Sequence, residues 1–514
     1  ATTEFYTLSL HDALPISNMT IDQLLDYMKR DRSFMDHVSV WRQVPGRLAE
    51  FSGYPAELDP RLVTALVEHG IASLYSHQYQ AVAAAVRGEN TIVVTPTASG
   101  KTLCYNAPVL NAVLHDQNSR ALYLFPTKAL SQDQVSELHT VIQLLSTHVE
   151  FDIRSYTFDG DTPVSARKAI RTSGHIVVTN PDMLHTGVLP HHTLWVKLFE
   201  NLAYVVIDEI HNYRGVFGSH LANVIRRLKR ICQFYGSRPQ FICCSATIAN
   251  PKEFAEHLTG ETMTLVNSNG APSGTKHFIL YNPPLVNREL GIRKSYIKET
   301  QRLAARFLAQ NVPTIVFARS RLRVEILVTY LKQIMKRIHK SPDLVRGYRG
   351  GYLPLERRAI EKGLRDGLIL GVVGTNALEL GIDIGQLQVC IMAGYPGSIA
   401  STWQQAGRAG RRNDASVAIL VGSSAPLEQY LMSNPEYLFS QSAEAGLINP
   451  DNLIILLSHV KCAAFELPFS TSERYGSNWQ GGGGLDSTQE VLSFLEENPV
   501  IHRSEEIWHW MAEG

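Results

Sequence analysis

The sequence predicts an α/β protein of two tandem parallel-sheet domains, with helical additions at the N- and C-terminal ends. Three observations carry this. From about Ser73, short apolar strands alternate with longer helical segments, the pattern of βαβ units. The alternation is interrupted at Asn267–Gly274 (NSNGAPSG) and then restarts, as two sheets joined by a turn-rich linker would. The chain has 514 residues, enough for about three domains.

The strands of the first run are TIVVT at 91–95, ALYLF at 121–125, HIVVT at 175–179, LAYVVID at 202–208 and QFICCSA at 240–246. Those of the second are TIVFA at 314–318, LILGVVGT at 368–375, LQVCIMA at 387–393 and SVAILVG at 416–422. Their near-continuous Val, Ile, Leu and Cys content fits strands covered on both faces. Before them, Leu24, Leu25 and Met28, then Leu62, Leu66 and Val67, recur at helical spacing. A loop-like VPGRLAEFSGYPAELDP lies between. After about Pro426 the strands stop. The rest reads as helical, with a break at YGSNWQGGGG and a last helical pair around Val491–Leu495 and Ile507–Met511. The expected division is 1–18, a non-native or disordered leader ahead of a natural start at Met19; 19–72, an N-terminal helical segment; 73–266 and 267–425, the two sheet domains; and 426–514, a helical C-terminal region.

Lys plus Arg and Asp plus Glu both number 48, so the formal net charge is zero. Any phosphate-binding surface is then a local patch, not a property of the whole chain. The six cysteines form no CxxC pair, and Cys243 and Cys244 lie in an apolar strand. They read as reduced core residues of a cytoplasmic protein, with no zinc site. No apolar run reaches the roughly 18 residues of a membrane span.

The segment TPTASGKT, Thr95–Thr102, follows a strand and precedes a helix, the setting a phosphate loop requires. Gly100 lets the backbone turn, and the helix start presents N–H groups and a positive dipole end to phosphate. Thr97, Ala98 and Ser99 form the loop. Lys101 supplies a compact charge for the β and γ oxygens, and Thr102 a hydroxyl for magnesium. Thr95 stands where the usual pattern begins with glycine. The bland alternative is an ordinary polar strand–helix turn. Asp208 and Glu209 end the strand AYVVID, on the sheet edge where a phosphate loop also lies. Asp208 is the candidate magnesium ligand, and Glu209 the base for an attacking water. Taken alone, the pair would be a solvated acidic turn.

With Ile210 and His211, this pair resembles the DExH box of superfamily 2 helicases and translocases. The other motifs follow in order. Gln78, in SLYSHQYQA, resembles the glutamine that reads the adenine edge. PTKAL at 126–130 and TNPDMLH around Asn180 resemble two strand-gripping motifs. SAT, with Ser245 and Thr247, resembles the motif coupling hydrolysis to strand movement. VFARSR, VGTNALELGID and QQAGRAGRR resemble the remaining three. The resemblance covers most of Ser73 to Arg412. It implies two RecA-like domains, ATP and magnesium as cofactors, and Arg408 and Arg411 as fingers that stabilise the transferred phosphoryl group. Gln404 would contact the phosphate side, and Gly381 and Asp383 would lie near the sugar. Position 405 is Gln where related proteins often carry Arg, so it receives no finger role. The candidate grips on nucleic acid are Thr127, Lys128, Thr179, Arg319, Ser320, Arg349 and Thr375, which would position phosphates without reading bases. Asp182 reads as ordering its own loop. The basic runs RRLKR (226–230) and KQIMKRIHK (332–340) read as solvated helix faces.

Five further segments narrow the resemblance. They are DEIHNYRGVFGSHLANVIRRLKRIC, GDTPVSARKAI, YRGGYLPLERR, WQQAGRAGRR and INPDNLIILLSHVKCAAFELP. Together they look like the MrfA-type mitomycin-repair DNA helicases of bacteria and their fungal RecQ-like relatives. That implies a 3′–5′ DNA helicase of DNA repair, with single-stranded or tailed DNA as partner and no membrane. The family continues into a cysteine-bearing zinc region, which this sequence does not reach. A DExH-type RNA helicase shares every core motif. A nucleic-acid-binding scaffold without ATPase activity would lack Lys101, Glu209 or the finger arginines.

Overall fold

A computed structural model describes residues 19–97, 99–379, 384–385, 387–410, 414–476 and 488–511. It divides into two compact units, one of residues 49–271 with 442–514, the other of residues up to 48 with 272–441. The chain passes between them at 48/49, 271/272 and 441/442.

The unit that carries Thr95–Thr102 holds a seven-stranded sheet. Its order is Thr264–Val266, Thr91–Val94, Gln240–Ser245, Leu202–Ile207, Arg120–Leu124, Ile176–Thr179 and Ser155–Thr157, and every neighbouring pair is parallel. The five strands read from the sequence are its five central ones. Each is sandwiched between helices, and Ile92, Val93, Leu122, Val205, Val206, Ile242, Cys243 and Cys244 are buried. The two short edge strands carry no signal of their own: Ser155–Thr157 and Thr264–Val266 have three residues each.

The other unit also holds seven strands, in the order Val38–Val44, Lys276–Tyr281, Ser416–Val421, Val389–Ala393, Thr314–Ala318, Gly371–Gly374 and Val345–Tyr348. Six run parallel. Val38–Val44 is antiparallel to Lys276–Tyr281, which corrects the helical expectation for 19–72. Helix Ile21–Arg30 does form, started by a capping box between Thr20 and Gln23. It buries Ile21, Leu24, Leu25 and Met28 in the core of this second sheet. A one-turn helix Arg32–Met35 follows, whose Phe34 stacks on Tyr281 with ring centroids 5.4 Å apart, and the chain then extends. The strand's partner lies more than 200 residues away in sequence, so no local pattern announces it.

The stretch Asn267–Gly274 is partly anchored, contrary to a free linker. Gly270 N–H donates to His77 Nδ1 at 3.2 Å and its carbonyl accepts from Glu50 N. A Cβ there would lie 2.2 Å from Ser76 Oγ.

The C-terminal region also departs from expectation. Helices Pro426–Ser433 and Glu436–Ser440 belong to the second unit, whereas helix Leu453–Glu466 packs on the first. Phe469–Ser470, Ile501–Ser504 and Ile507–Trp510 form a small antiparallel sheet. The last of these replaces the expected helix at Ile507–Met511. Helix Thr488–Glu497 contains Val491–Leu495 as read.

Helix Leu453–Glu466 docks on helix Gly215–Tyr235, which contains RRLKR. That run is not a solvated face. Arg227 is 0% exposed and its guanidinium forks onto the Glu466 carboxylate, with Nε 3.0 Å from Oε2. Its Nη1 meets His185 Nδ1 at 2.6 Å and His459 Nδ1 at 3.3 Å. Arg226 pairs with Asp451 at 2.7 Å. Arg230 donates to the carbonyls of Ala463 (2.7 Å), Leu467 (3.0 Å) and Pro468 (2.6 Å), closing the C-terminal end of the docked helix. A buried charge stripped of its partner costs about 3–5 kcal/mol, whereas an apolar pair of similar volume is nearly neutral. Glu466→Ala is therefore expected to lower the first unfolding transition in urea by about that amount. Arg227→Met combined with Glu466→Leu should recover about half or more of the loss. A double variant as unstable as Glu466→Ala would contradict this account.

Candidate functional site

All strands of the first sheet run parallel, so their C-terminal ends share one edge. Five neighbours there carry, in order, Thr95–Thr102, Ser245–Thr247, Asp208–His211, Thr127–Lys128 and Asn180. The spatial order differs from the chain order because the chain crosses over between strands.

The phosphate loop leaves strand Thr91–Val94 and enters helix Lys101–His115. Gly100 sits in the left-handed region at φ 80° as the residue before the helix, a conformation glycine takes without penalty. Gln78 Nε2 donates to the Gly100 carbonyl at 2.9 Å, and Gln78 Oε1 accepts from Tyr75 N at 2.9 Å. Gln78 thereby pins the loop to the helix start at Ser76. Thr95 lies outside the residues with positive φ, so the glycine usual at that place is not required here. Its hydroxyl shares a 2.6 Å bond with Ser99 Oγ, and both residues are buried. Thr97 lies half-buried in the turn. Ala98 lies outside the described residues. Lys101 Nζ donates to the carbonyls of Thr95 (2.9 Å) and Pro96 (3.3 Å), bonds that a phosphate would have to replace.

Asp208 and Glu209 are both buried. Asp208 Oδ1 accepts from Glu209 N at 2.8 Å, and its own N–H donates to Leu124 O. Glu209 sits at φ 51°, ψ 46°, a left-handed conformation that costs a non-glycine residue about 1–2 kcal/mol. Burial, then the neighbouring Glu209, push the Asp208 carboxyl well above the usual carboxylate range. Burial pushes His211 down to about 4. The neutral ring accepts at Nδ1 from Ala246 N, 3.1 Å away, so its 3.4 Å approach to Glu209 Oε2 is not an ion pair at neutral pH. That bond joins the acidic turn to the SAT segment. Ser245 is fully buried and its carbonyl accepts from Thr95 N at 3.4 Å, while Thr247 is exposed. SAT therefore lies between the phosphate loop and the acidic turn and touches both.

Two side chains that motif reading omits, Gln134 and Tyr105, complete the cluster. Thr102 Oγ1 donates to Gln134 Oε1 at 2.6 Å, and Tyr105 OH lies 3.2 Å from the same oxygen and 3.4 Å from Asp208 Oδ2. The Thr102 hydroxyl and the Asp208 carboxylate are both oxygen donors, the type magnesium prefers, so these residues fit that ion. Among the described residues no group of three or more His, Cys, Asp or Glu gathers as a metal centre.

The strand-gripping candidates divide. Thr127 caps helix Lys128–Leu145, and Lys128 Nζ pairs with Asp161 at 2.7 Å on the surface. Thr179 is buried and its hydroxyl donates to Phe158 O at 2.6 Å. Its side chain holds two neighbouring strand ends together. Asn180, not Asp182, orders the next loop, accepting from Met183 N at 2.8 Å.

In the second unit, Arg319–Ser320, Thr375 and Arg349 follow three adjacent parallel strands. Arg319 pairs with the buried Glu428 at 2.9 Å while remaining half exposed. Ser320 caps helix Arg321–Arg337. Thr375 accepts from Ala377 N at 3.5 Å. Arg349 pairs with Glu325 at 2.7 Å and lies over the Tyr352 ring. Gln404 is half-buried on helix Ile399–Ala406. Arg408 is buried and donates from Nε and Nη2 to Glu379 O, at 3.2 and 2.6 Å. Gly381, Asp383 and Arg411 lie outside the described residues.

The loop geometry makes Gly100 a sensitive position. A Cβ there would sit 2.6 Å from Gln78 Nε2 in a left-handed backbone. Gly100→Ala is expected to weaken binding of a fluorescent ATP analogue by roughly tenfold or more, the effect of about 1.4 kcal/mol. Unchanged affinity in that titration would remove Gly100 from the site.

Residues 75–254 match the DEAD/DEAH box helicase family and residues 298–413 the helicase conserved C-terminal domain. The chain is 57% identical over 479 residues to the uncharacterized ATP-dependent helicase YprA of Bacillus subtilis, covering 93% of this chain and 62% of that protein. It is 38% identical to the ATP-dependent helicase HRQ1 of Saccharomyces cerevisiae, over 88% of this chain and 42% of that one. It thus spans less than two thirds of either relative. A crystal structure of the DUF1998 helicase MrfA bound to DNA and AMPPNP superposes with a TM-score of 0.90 at 55% identity, over 96% of this chain and 67% of that one. The Mycobacterium smegmatis helicase Lhr bound to ssDNA and AMP-PNP gives a TM-score of 0.69 at 26% identity, over 82% of this chain and 55% of that one. The chain belongs to the superfamily 2 DEAD/DEAH-box helicases, in the group of MrfA, YprA and Hrq1.

Proposed function

We propose that this chain is the motor of an ATP-dependent 3′–5′ DNA helicase acting in DNA repair. The observation that carries the reading is the convergence of Lys101, Thr102, Asp208 and Glu209 on one edge of a parallel sheet. That edge is where open α/β sheets bind ligands. DNA is favoured as the track by the likeness to MrfA, whose crystal structures contain DNA.

In this reading Lys101 exchanges its two carbonyl partners for the β and γ phosphates of ATP. Thr102 and Asp208 hold magnesium, which supplies neutralisation of phosphate charge when bound. Glu209 orients the attacking water and takes its proton. His211 and the SAT segment report the state of that turn to the neighbouring strand ends. By family resemblance, Arg408 and Arg411 are the fingers that stabilise charge on the transferred phosphoryl group, with ADP as the leaving group. Arg408 must first leave its Glu379 carbonyl partner, which makes hydrolysis depend on a rearrangement within that unit. Thr127, Lys128, Arg319, Ser320, Arg349 and Thr375 contact the phosphates of one strand, so binding is sequence-independent and salt-dependent. The site of action is cytoplasmic, and the substrate is single-stranded or 3′-tailed DNA.

Lys101→Ala is expected to abolish binding of ATP. Glu209→Gln should bind ATP and DNA and hydrolyse about 10²–10⁴ times more slowly. The deciding experiment measures ATP hydrolysis with single-stranded, duplex, 3′-tailed and 5′-tailed DNA and with matched RNA. Stimulation by 3′-tailed DNA is expected. Strong stimulation by RNA with none by DNA would replace the DNA reading, and preference for 5′ tails would reverse the polarity.

A further inference from the structure

The carboxamide of Gln134 occupies a place that the proposed chemistry does not use. It lies on helix Lys128–Leu145, whose first residue is Lys128, one of the proposed grips on nucleic acid. Yet its Oε1 reaches across to helix Lys101–His115 and accepts from Thr102 Oγ1 at 2.6 Å. The Tyr105 hydroxyl, fully buried one turn further along that helix, lies 3.2 Å from the same oxygen and 3.4 Å from Asp208 Oδ2. The Gln134 oxygen thus bonds Thr102 directly and is connected to Asp208 only through the Tyr105 hydroxyl.

A threonine hydroxyl has one proton and two lone pairs. The 2.6 Å bond directs the proton towards Gln134. The lone pairs are then left for the phosphate side. Without an acceptor, the hydroxyl can rotate and turn its proton towards the loop's own carbonyls. Tyr105 has a single proton, which lies within reach of Gln134 Oε1 at 3.2 Å and of Asp208 Oδ2 at 3.4 Å, so its hydroxyl links the amide to the carboxyl. Groups that hold a metal ligand in orientation are worth about 10–100-fold in metal affinity.

We infer that Gln134 is a positioning residue that sets the Thr102 hydroxyl for magnesium and so controls binding of the magnesium–nucleotide complex. This rests on the reading of Thr102 as a magnesium ligand. It goes beyond that reading by assigning the orientation of the hydroxyl to a residue outside the phosphate loop.

The test is a titration of the chain with a fluorescent ATP analogue, with magnesium and with EDTA. Gln134→Met keeps the volume and removes the acceptor. It is expected to weaken binding in magnesium by about 10–100-fold and to leave binding in EDTA unchanged. Thr102→Val should do the same, and the double variant should be no worse than Thr102→Val within about twofold. Gln134→Glu, which retains an acceptor oxygen, should keep the magnesium dependence of the unsubstituted chain. Equal weakening with and without magnesium, additive losses, or no loss would each overturn the inference. Should Gln134→Met fail to fold by thermal melting, Gln134→Glu decides: retained magnesium dependence supports the inference and its loss refutes it. An unsubstituted chain that binds no nucleotide would instead sink the ATPase reading itself.

Discussion

A parallel sheet brings the ends of all its strands to one edge, and nearly everything about this site follows from that constraint. The ladder stops there, so backbone groups must find partners in the loops beyond. In the first unit those loops are five neighbours wide, and each solves the problem with the residues that the motifs supply. Gly100 turns left-handed and offers its carbonyl to Gln78. Asp208 accepts from the amide of Glu209, which is itself forced left-handed. Thr127 and Asn180 cap the helices that follow them. The catalytic candidates are therefore also the residues that terminate the sheet. Their burial, and the raised affinity of Asp208 for its proton, are consequences of serving both ends.

The same constraint places SAT between the phosphate loop and the acidic turn. Strand Gln240–Ser245 is inserted between the phosphate-loop strand and the acidic strand. A shift of the acidic turn changes the Ala246–His211 bond, and a shift of the phosphate loop changes the Thr95–Ser245 bond. Burial holds His211 neutral, which keeps its Nδ1 an acceptor for Ala246. The link therefore depends on geometry and not on charge.

How much of this could be read in the sequence depends on distance along the chain. The central strands announce themselves, because burial on both faces demands continuous apolar runs such as IVV and FICC. Edge strands do not: Val38–Val44 is half-exposed, and its partner begins at Lys276. The phosphate loop and acidic pair are legible since their chemistry is local. Gln134 was not, because its partners Thr102 and Tyr105 sit about 30 residues away on another helix and nothing in the string SQDQVSEL distinguishes one amide from its neighbours. The inward bond of Thr179 was illegible for a related reason. A hydroxyl at a strand end can face outward to a phosphate or inward to a neighbouring carbonyl, and the pairing with Ser155–Thr157 turned it inward.

The basic run RRLKR shows the limit of charge counting most clearly. On one helix it reads as a solvated face, but the ion-pair partners of its Arg226, Arg227 and Arg230 are residues more than 220 positions later. Asn223 reaches Pro450, Gly215 reaches Leu447, and the Arg227 guanidinium is buried among Glu466, His459 and His185. The two long segments that mark the narrower family, one after the acidic box and one at 448–468, are thus the two sides of a single polar contact. A buried guanidinium is a poor source of stability compared with leucine, but it is intolerant of misalignment. It fixes the C-terminal helix on the helix that grows out of the acidic turn, and it does so while bonding His185 beside the Asn180 cap. Residues 442–475 are accordingly a structural part of the unit that carries the phosphate loop.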